Sequence, residues 1–136
     1  MIEYFKLLLD FGLVVLVWVV QLAIYPSFRY FPSSDLKRWH PRYSRNISLV
    51  VAPMMVGQLL LSIYFISINQ TAFTVGNLVL VLATWVLTFV WAIPLHKKID
   101  EDNDFSLAID RLLKINILRA LVWTAILIWT IGILTM

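Results

Sequence analysis

The chain has 136 residues, 61% of them hydrophobic and only 14% charged, with a formal charge of +3 and no cysteine. A soluble domain runs nearer half apolar and a quarter charged, so an ordinary water-soluble fold is excluded; the missing thiols exclude disulfides, thiolate metal sites and cysteine nucleophiles. The basic residues flank apolar segments instead of forming a stripe with stacking aromatics, which points to anionic lipid headgroups and away from nucleic acid.

In chain order, the first apolar run carries Glu3 and Asp10 where a secretory leader would have a basic region. It reads as a membrane span and not as a cleaved signal. Three further apolar stretches follow, giving spans at 5–25, 46–68, 73–95 and 115–136 of a single domain, 1–136. Each has about 20 residues, and at roughly 1.5 Å per residue that covers the hydrocarbon thickness of a bilayer. The runs are unbroken rather than alternating, so they predict helices and not barrel strands.

The connections differ in kind. The stretch 26–45 contains Pro32 and Pro41 as breakers and reads as a long interfacial loop, with Phe28, Tyr30, Phe31 and Trp39 at headgroup depth; proline is tolerated in a first helical turn, so a helix starting at or just before Pro41 is also open. The turn at Asn69 and Gln70 is short and uncharged, which makes the second and third spans antiparallel neighbours. In the last connection, Asp104 can cap a helix starting near Phe105. The expected architecture is therefore an all-α integral membrane protein, a four-helix bundle running up-down-up-down. Nine of the eleven basic residues lie in the first and third connections, so those loops are expected in the cytoplasm and both termini outside, as in a bacterial inner membrane. Tyr25-Pro26 and Ile93-Pro94 end the odd spans, while Asn46-Ile47 and Asn116-Ile117 open the even ones. This weak echo suggests a duplicated hairpin.

Polar groups are costly in a bilayer and usually face the bundle interior. Gln21 and Tyr25 lie one turn apart; His40, Tyr43 and Asn46 share a helical face; Thr88 and His96 form a stripe, as do Asn116, Arg119 and Trp123. All approach the cytoplasmic end, whereas the outer half is expected to be nearly free of polar side chains apart from Asp10. These groups suggest a pocket for a lipophilic molecule. His40, His96, Tyr43 and Arg119 are candidate catalytic groups, with Gln21, Tyr25, Asn46, Trp91, Asn116 and Trp123 as candidate ligand contacts. Imidazole titrates near neutral pH and suits proton transfer. The two histidines are also candidate axial haem ligands, but no zinc set is present, because a third ligand is missing. Interfacial anchoring explains the same residue types without any site. Elsewhere, Lys6 and Asp10 read as an ion pair near the outer surface, Gln58 as a glue residue with Thr84 as a partner, Gly57 as a point of close helix approach, and Pro53 and Pro94 as kinks.

Tyr25-Pro26-x-Phe28, His40-x-x-Tyr43-Ser44, Pro53-Met54, Pro94-Leu95-His96 and Asn116-x-x-Arg119-x-x-x-Trp123 together resemble small four-helix bacterial membrane proteins of unassigned function. The Pro-Leu-His followed by Asn-x-x-Arg order is also distantly similar to anthrone-oxygenase-like membrane proteins, which oxidise polycyclic aromatics without an obvious cofactor. That resemblance implies a pocket for a lipophilic substrate containing His96, Asn116 and Arg119.

Two function classes follow. One is a membrane-embedded oxidoreductase or cofactor-binding protein for an aromatic, quinone-like or haem-type ligand. The other is a non-enzymatic membrane subunit or lipid-binding module, with self-association into a homo-oligomer open to it. Orientation has its own test. A C-terminal alkaline phosphatase fusion should be active and a C-terminal green fluorescent protein fusion dark; the opposite pair of signals overturns the charge argument.

Overall fold

The computed structural model describes residues 1–135 and contains four helices long and apolar enough to cross a membrane: α1 (Ile2–Tyr30), α2 (Ser33–Ile68), α3 (Ala72–Glu101) and α4 (Ser106–Thr135). Among the described residues there is no strand. The helices run up-down-up-down in a ring, each packed against its two sequence neighbours, with α4 closing onto α1. Large apolar side chains such as Leu8, Leu22, Leu60 and Ile128 cover the outside, as a lipid-facing surface requires. One end of the bundle carries both termini and the 69–71 turn (the terminal end); the other carries the two basic connections (the basic end).

The stretch 26–45 is not the loop expected from its prolines. Only Phe31 and Pro32 are extended between α1 and α2, and helix resumes at Ser33. Pro32 serves as N-cap, its carbonyl accepting from the Asp35 and Leu36 amides at 3.0 Å each. Proline is harmless there, since a helix's first amides lack intrahelical acceptors. Leu36, His40 and Tyr43 then fall on one face and are buried, and this inward stripe carries the helix through Pro41. Phe28 also departs from expectation. It is 1% exposed and packs edge-on against His40 and Tyr43, whereas Tyr30 is 88% exposed. At the other connection, Asp104 does cap α4, accepting from the Ser106 amide at 3.3 Å and from its hydroxyl at 2.9 Å.

The two odd helices share a device that periodicity does not reveal. Each widens to a π-helical segment, Val20–Ile24 in α1 and Leu87–Ala92 in α3, and each segment is followed two residues later by a proline, Pro26 or Pro94. A proline ring clashes with the carbonyl four residues back and offers no amide, and widening the turn relieves that clash. An unbroken 3.6-residue period therefore fails past these points, because an extra residue turns the face that follows by about 100°.

The terminal half is not the apolar block that the sequence suggests. Lys6 and Asp10 are 5% and 0% exposed, so the pair lies inside the bundle and not at its surface. The Asp10 carboxylate accepts from Lys6 Nζ at 2.7 Å, Gln58 Nε2 at 2.6 Å and Thr130 Oγ1 at 2.7 Å. Gln58 also accepts from Trp123 Nε1 at 3.1 Å, while the expected partner Thr84 turns back to the Val81 carbonyl. Next to this network Ser62 donates to Asn77 Oδ1 at 3.0 Å. All four helices thus contribute. Close approach at Gly57 is present: a Cβ there would stand 3.1 Å from Leu9 of α1.

A buried carboxylate with three donors leaves a large deficit when it is removed. Asp10→Ala should cost about 3–5 kcal/mol, because Lys6 stays buried without a counter-charge. The double variant Lys6→Met with Asp10→Leu should be less damaged than that single one. Unfolding in mild detergent followed by circular dichroism gives the ranking, and equal losses would mean that the charge pair is not the organising contact.

Candidate functional site: an interhelical cavity with a histidine chain

At the basic half the four helices do not close on one another but surround a cavity of about 550 Å³. Its walls are mainly apolar, and they span α2 from Tyr43 to Val56, about 20 Å at roughly 1.5 Å per residue. Such a size and lining suit an organic molecule held by a few polar groups. Those groups come from every helix: Tyr25 from α1, Tyr43 and Ser44 from α2, Trp85 and His96 from α3, and Asn116, Arg119 and Trp123 from α4.

Arg119 is the dominant charge. It is 7% exposed, and among the described residues it pairs with no carboxylate. Its Nη1 donates to Asn116 Oδ1 at 3.1 Å, and its guanidinium carbon lies 5.0 Å from the centre of the Trp123 ring. Asn116 in turn donates to Gln21 Oε1 at 2.9 Å and to the Val17 carbonyl at 3.4 Å. Gln21 therefore braces the arginine through Asn116 without lining the cavity. Among the described residues, four buried side-chain polar atoms have no hydrogen-bond partner: Arg119 Nε, Tyr43 Oη, Ser44 Oγ and Trp85 Nε1. All four belong to residues that line this cavity. Buried polar groups are rarely left unmatched, because each costs about 1–3 kcal/mol. Every one of these four can donate, so the complement they define is a molecule with acceptor oxygens.

Beside the arginine runs a chain of four titratable side chains. Tyr25 Oη lies 2.9 Å from His96 Nε2; His96 Nδ1 lies 2.9 Å from His40 Nε2; His40 Nδ1 lies 2.6 Å from Asp100 Oδ1. With both imidazoles neutral, one assignment satisfies every link: Tyr25 donates to His96, His96 to His40, and His40 to the Asp100 carboxylate. A proton received at Tyr25 can then pass to Asp100 by successive transfers. Asp100 is partly open at the basic end, with its side chain 31% exposed, whereas His40 is fully enclosed. The π-helical widenings set this geometry, since Tyr25 and His96 each follow one of them.

The histidines do not fit as a pair of axial haem ligands. They are hydrogen-bonded directly, nitrogen to nitrogen, with ring centroids 5.0 Å apart and near-parallel planes. No macrocycle can lie between them, and all four ring nitrogens already have partners. Among the described residues, no group of three or more acids and histidines has the arrangement of a metal site.

Most residues singled out from sequence meet here. Tyr25, Tyr43, His96, Asn116, Arg119 and Trp123 line the cavity; His40 stands behind His96, and Gln21 behind Asn116. Two do not. Asn46 is exposed on the outer face of α2, and Trp91 is 45% exposed and points away from the cavity. The shared face assumed for His40, Tyr43 and Asn46 does not extend that far: six residues along a helix rotate the side chain by about 240°. Asp100, Ser44 and Trp85 were missed. Asp100 carried a usable signal, its i, i+4 spacing from His96; Ser44 and Trp85 had none beyond their neighbours. Comparison with known protein families, curated proteins and solved structures found no match.

An unpaired buried cation is a stability defect that binding can justify. Arg119→Leu should therefore raise the unfolding midpoint of the ligand-free protein in detergent, by an amount equivalent to about 1 kcal/mol or more. A lowered midpoint would show that its contacts with Asn116 and Trp123 outweigh the desolvation cost.

Proposed function

We propose that this membrane protein binds a lipophilic, ring-bearing molecule with carbonyl or oxyanion oxygens and exchanges protons with it, as an oxidoreductase of quinone-like or polycyclic aromatic compounds does. The observation that carries this reading is the set of four unpartnered donors, Arg119 among them, gathered in one apolar cavity. Arg119 and the Tyr43, Ser44 and Trp85 donors hold the oxygens, while apolar wall residues such as Ile47, Val51 and Met55 pack against the rings. Tyr25 is the group that gives or takes the proton, and His96, His40 and Asp100 connect it to water at the basic end. The electrons of such a reaction pass between the bound molecule and a second reactant, an oxidant such as molecular oxygen where the bound compound is oxidised and a reductant where it is reduced. His96, Asn116 and Arg119, which carry the likeness to anthrone-oxygenase-like proteins, all line this cavity, in keeping with the same substrate class. The clustering of nine basic residues at the same end supports a cytoplasmic outlet for Asp100 and an inner-membrane location.

A second reading, a non-enzymatic lipid-binding module, uses the same cavity but gives the histidine chain only a structural role. Organic extraction and mass spectrometry of gently purified protein distinguish the presence of a ligand. An oxygen-bearing lipophile should be recovered from the wild type and lost by roughly tenfold or more from Arg119→Gln, equivalent to about 1.4 kcal/mol of binding. Recovery of nothing from either sinks the ligand assignment. Tyr25→Phe separates the two readings. It removes the first proton donor but keeps the ring, so binding should persist while turnover of the recovered compound falls by about 10²-fold or more. Unchanged turnover would leave only the lipid-binding role.

A further inference from the structure

The lining of the cavity shows where it opens. Residues contributed by α1 and α4, including Val17, Tyr25, Arg119 and Trp123, are buried or half-buried. The exposed lining residues all belong to two helices: Ser48, Ala52 and Val56 of α2, and Phe89, Ile93 and Lys97 of α3. On α2 they recur every four residues and are small towards the basic end, so they form one edge of a slot. On α3 they form the opposite edge, recurring at the same spacing. The gap lies between helices that meet at the terminal end through the 69–71 turn and again, through α3's last turns, at the basic end. Between these points the cavity opens sideways at depths where the surrounding side chains are apolar, while Lys97 and Asp100 mark its polar end.

We infer that this α2–α3 slot is a lateral portal to the bilayer, and that the bound molecule is a tailed lipid: its oxygen-bearing head sits against Arg119 and Tyr43 while its hydrocarbon tail runs out through the slot into the leaflet. This rests on the ligand reading above and adds to it the route and the tail. The chemistry is consistent from end to end. Inside the slot, Arg119 is 7% exposed with an unpartnered Nε, and Tyr43, 7% exposed, has an unpartnered hydroxyl. At the slot only Ser48 and Lys97 are polar, and the other edge residues would contact an alkyl or isoprenoid chain without leaving a polar group unmatched. A tail kept in lipid also avoids the cost of enclosing it in a cavity of about 550 Å³.

The test uses the full chain with Trp18, Trp39, Trp91 and Trp129 changed to Phe, leaving Trp85 and Trp123, both of which line the cavity. In vesicles of phosphatidylcholine brominated along its acyl chains, bromine quenches indole emission at close range. Chains entering the slot should quench these two tryptophans strongly, although Trp123 is 1% exposed. Plugging the slot with Ser48→Phe and Ala52→Phe should restore most of the lost emission; Ala23→Phe, on the lipid face of α1, should restore none. Weak quenching in the open chain, or equal quenching in open and plugged chains, overturns the portal. If the four-substitution chain loses its helical circular dichroism, the plugged and Ala23→Phe variants are compared in the chain with all six tryptophans, and equal quenching again overturns it. Slot-dependent quenching without any recovered ligand therefore defeats the ligand reading alone, and a recovered ligand with slot-independent quenching defeats the portal alone.

Discussion

Gln58 joins the polar interior of this bundle. Its amide nitrogen donates to the Asp10 carboxylate in the terminal half, and its oxygen accepts from the Trp123 indole, whose face supports Arg119 in the basic half. A hydrocarbon surrounding offers no water to take over an abandoned amide, so the two ends of this side chain fix α1, α2 and α4 relative to one another. Individual hydrogen bonds between membrane helices average only about 0.6 kcal/mol. The strength of this arrangement lies in its connectivity: a shift of one helix breaks several links together. Because the Trp123 indole donates to Gln58, the ring beneath Arg119 is fixed, and the unpartnered Nε of Arg119 belongs to a residue that lines the cavity.

The two halves handle the same expense differently. In the terminal half every strong polar group is matched: Asp10 has three donors, Lys6 has the carboxylate and Thr130, and Ser62 has Asn77. In the basic half Arg119 is left without an anion, and three further donors face the cavity without partners. This contrast within one molecule argues that the unmatched groups are not a general failure of packing. Functional sites are where proteins tolerate such defects, because a bound molecule relieves them.

The cavity is lined in part by irregular backbone: Val20 comes from the widened segment of α1, and Thr88, Phe89 and Ala92 from that of α3. A regular α1 and α3 would present residues at a constant 3.6 period, but an extra residue in the widened segments before Pro26 and Pro94 rotates the faces that follow by about 100°. The Tyr25 hydroxyl thereby reaches His96 across the bundle, and His96 reaches His40. The same prolines appear at corresponding places in the two odd helices, so the echo in the sequence corresponds to a shared local geometry.

Four apolar runs, the up-down order and the collection of His, Tyr, Arg and amide groups near one end were legible from the sequence, because hydrophobic length and residue type are local properties and a bilayer enforces them. Helix ends were less legible. Pro32 and Pro41 read as breakers, yet one caps α2 and the other is carried through by the buried stripe of Leu36, His40 and Tyr43. Which polar residues meet was decided only by tertiary structure. Thr84 satisfied itself, Asp10 moved from the expected surface to the interior, Asn46 turned outward, and Asp100, which was not singled out, pairs with His40. The physical reason is common to all of these: a partner in a helical bundle is set by rotation about each helix axis and by depth, and one extra residue in a widened turn changes the rotation by about 100°. The sequence thus determined that polar groups would gather at the basic end; the packed bundle decided that they form a chain of proton carriers beside an unpaired arginine.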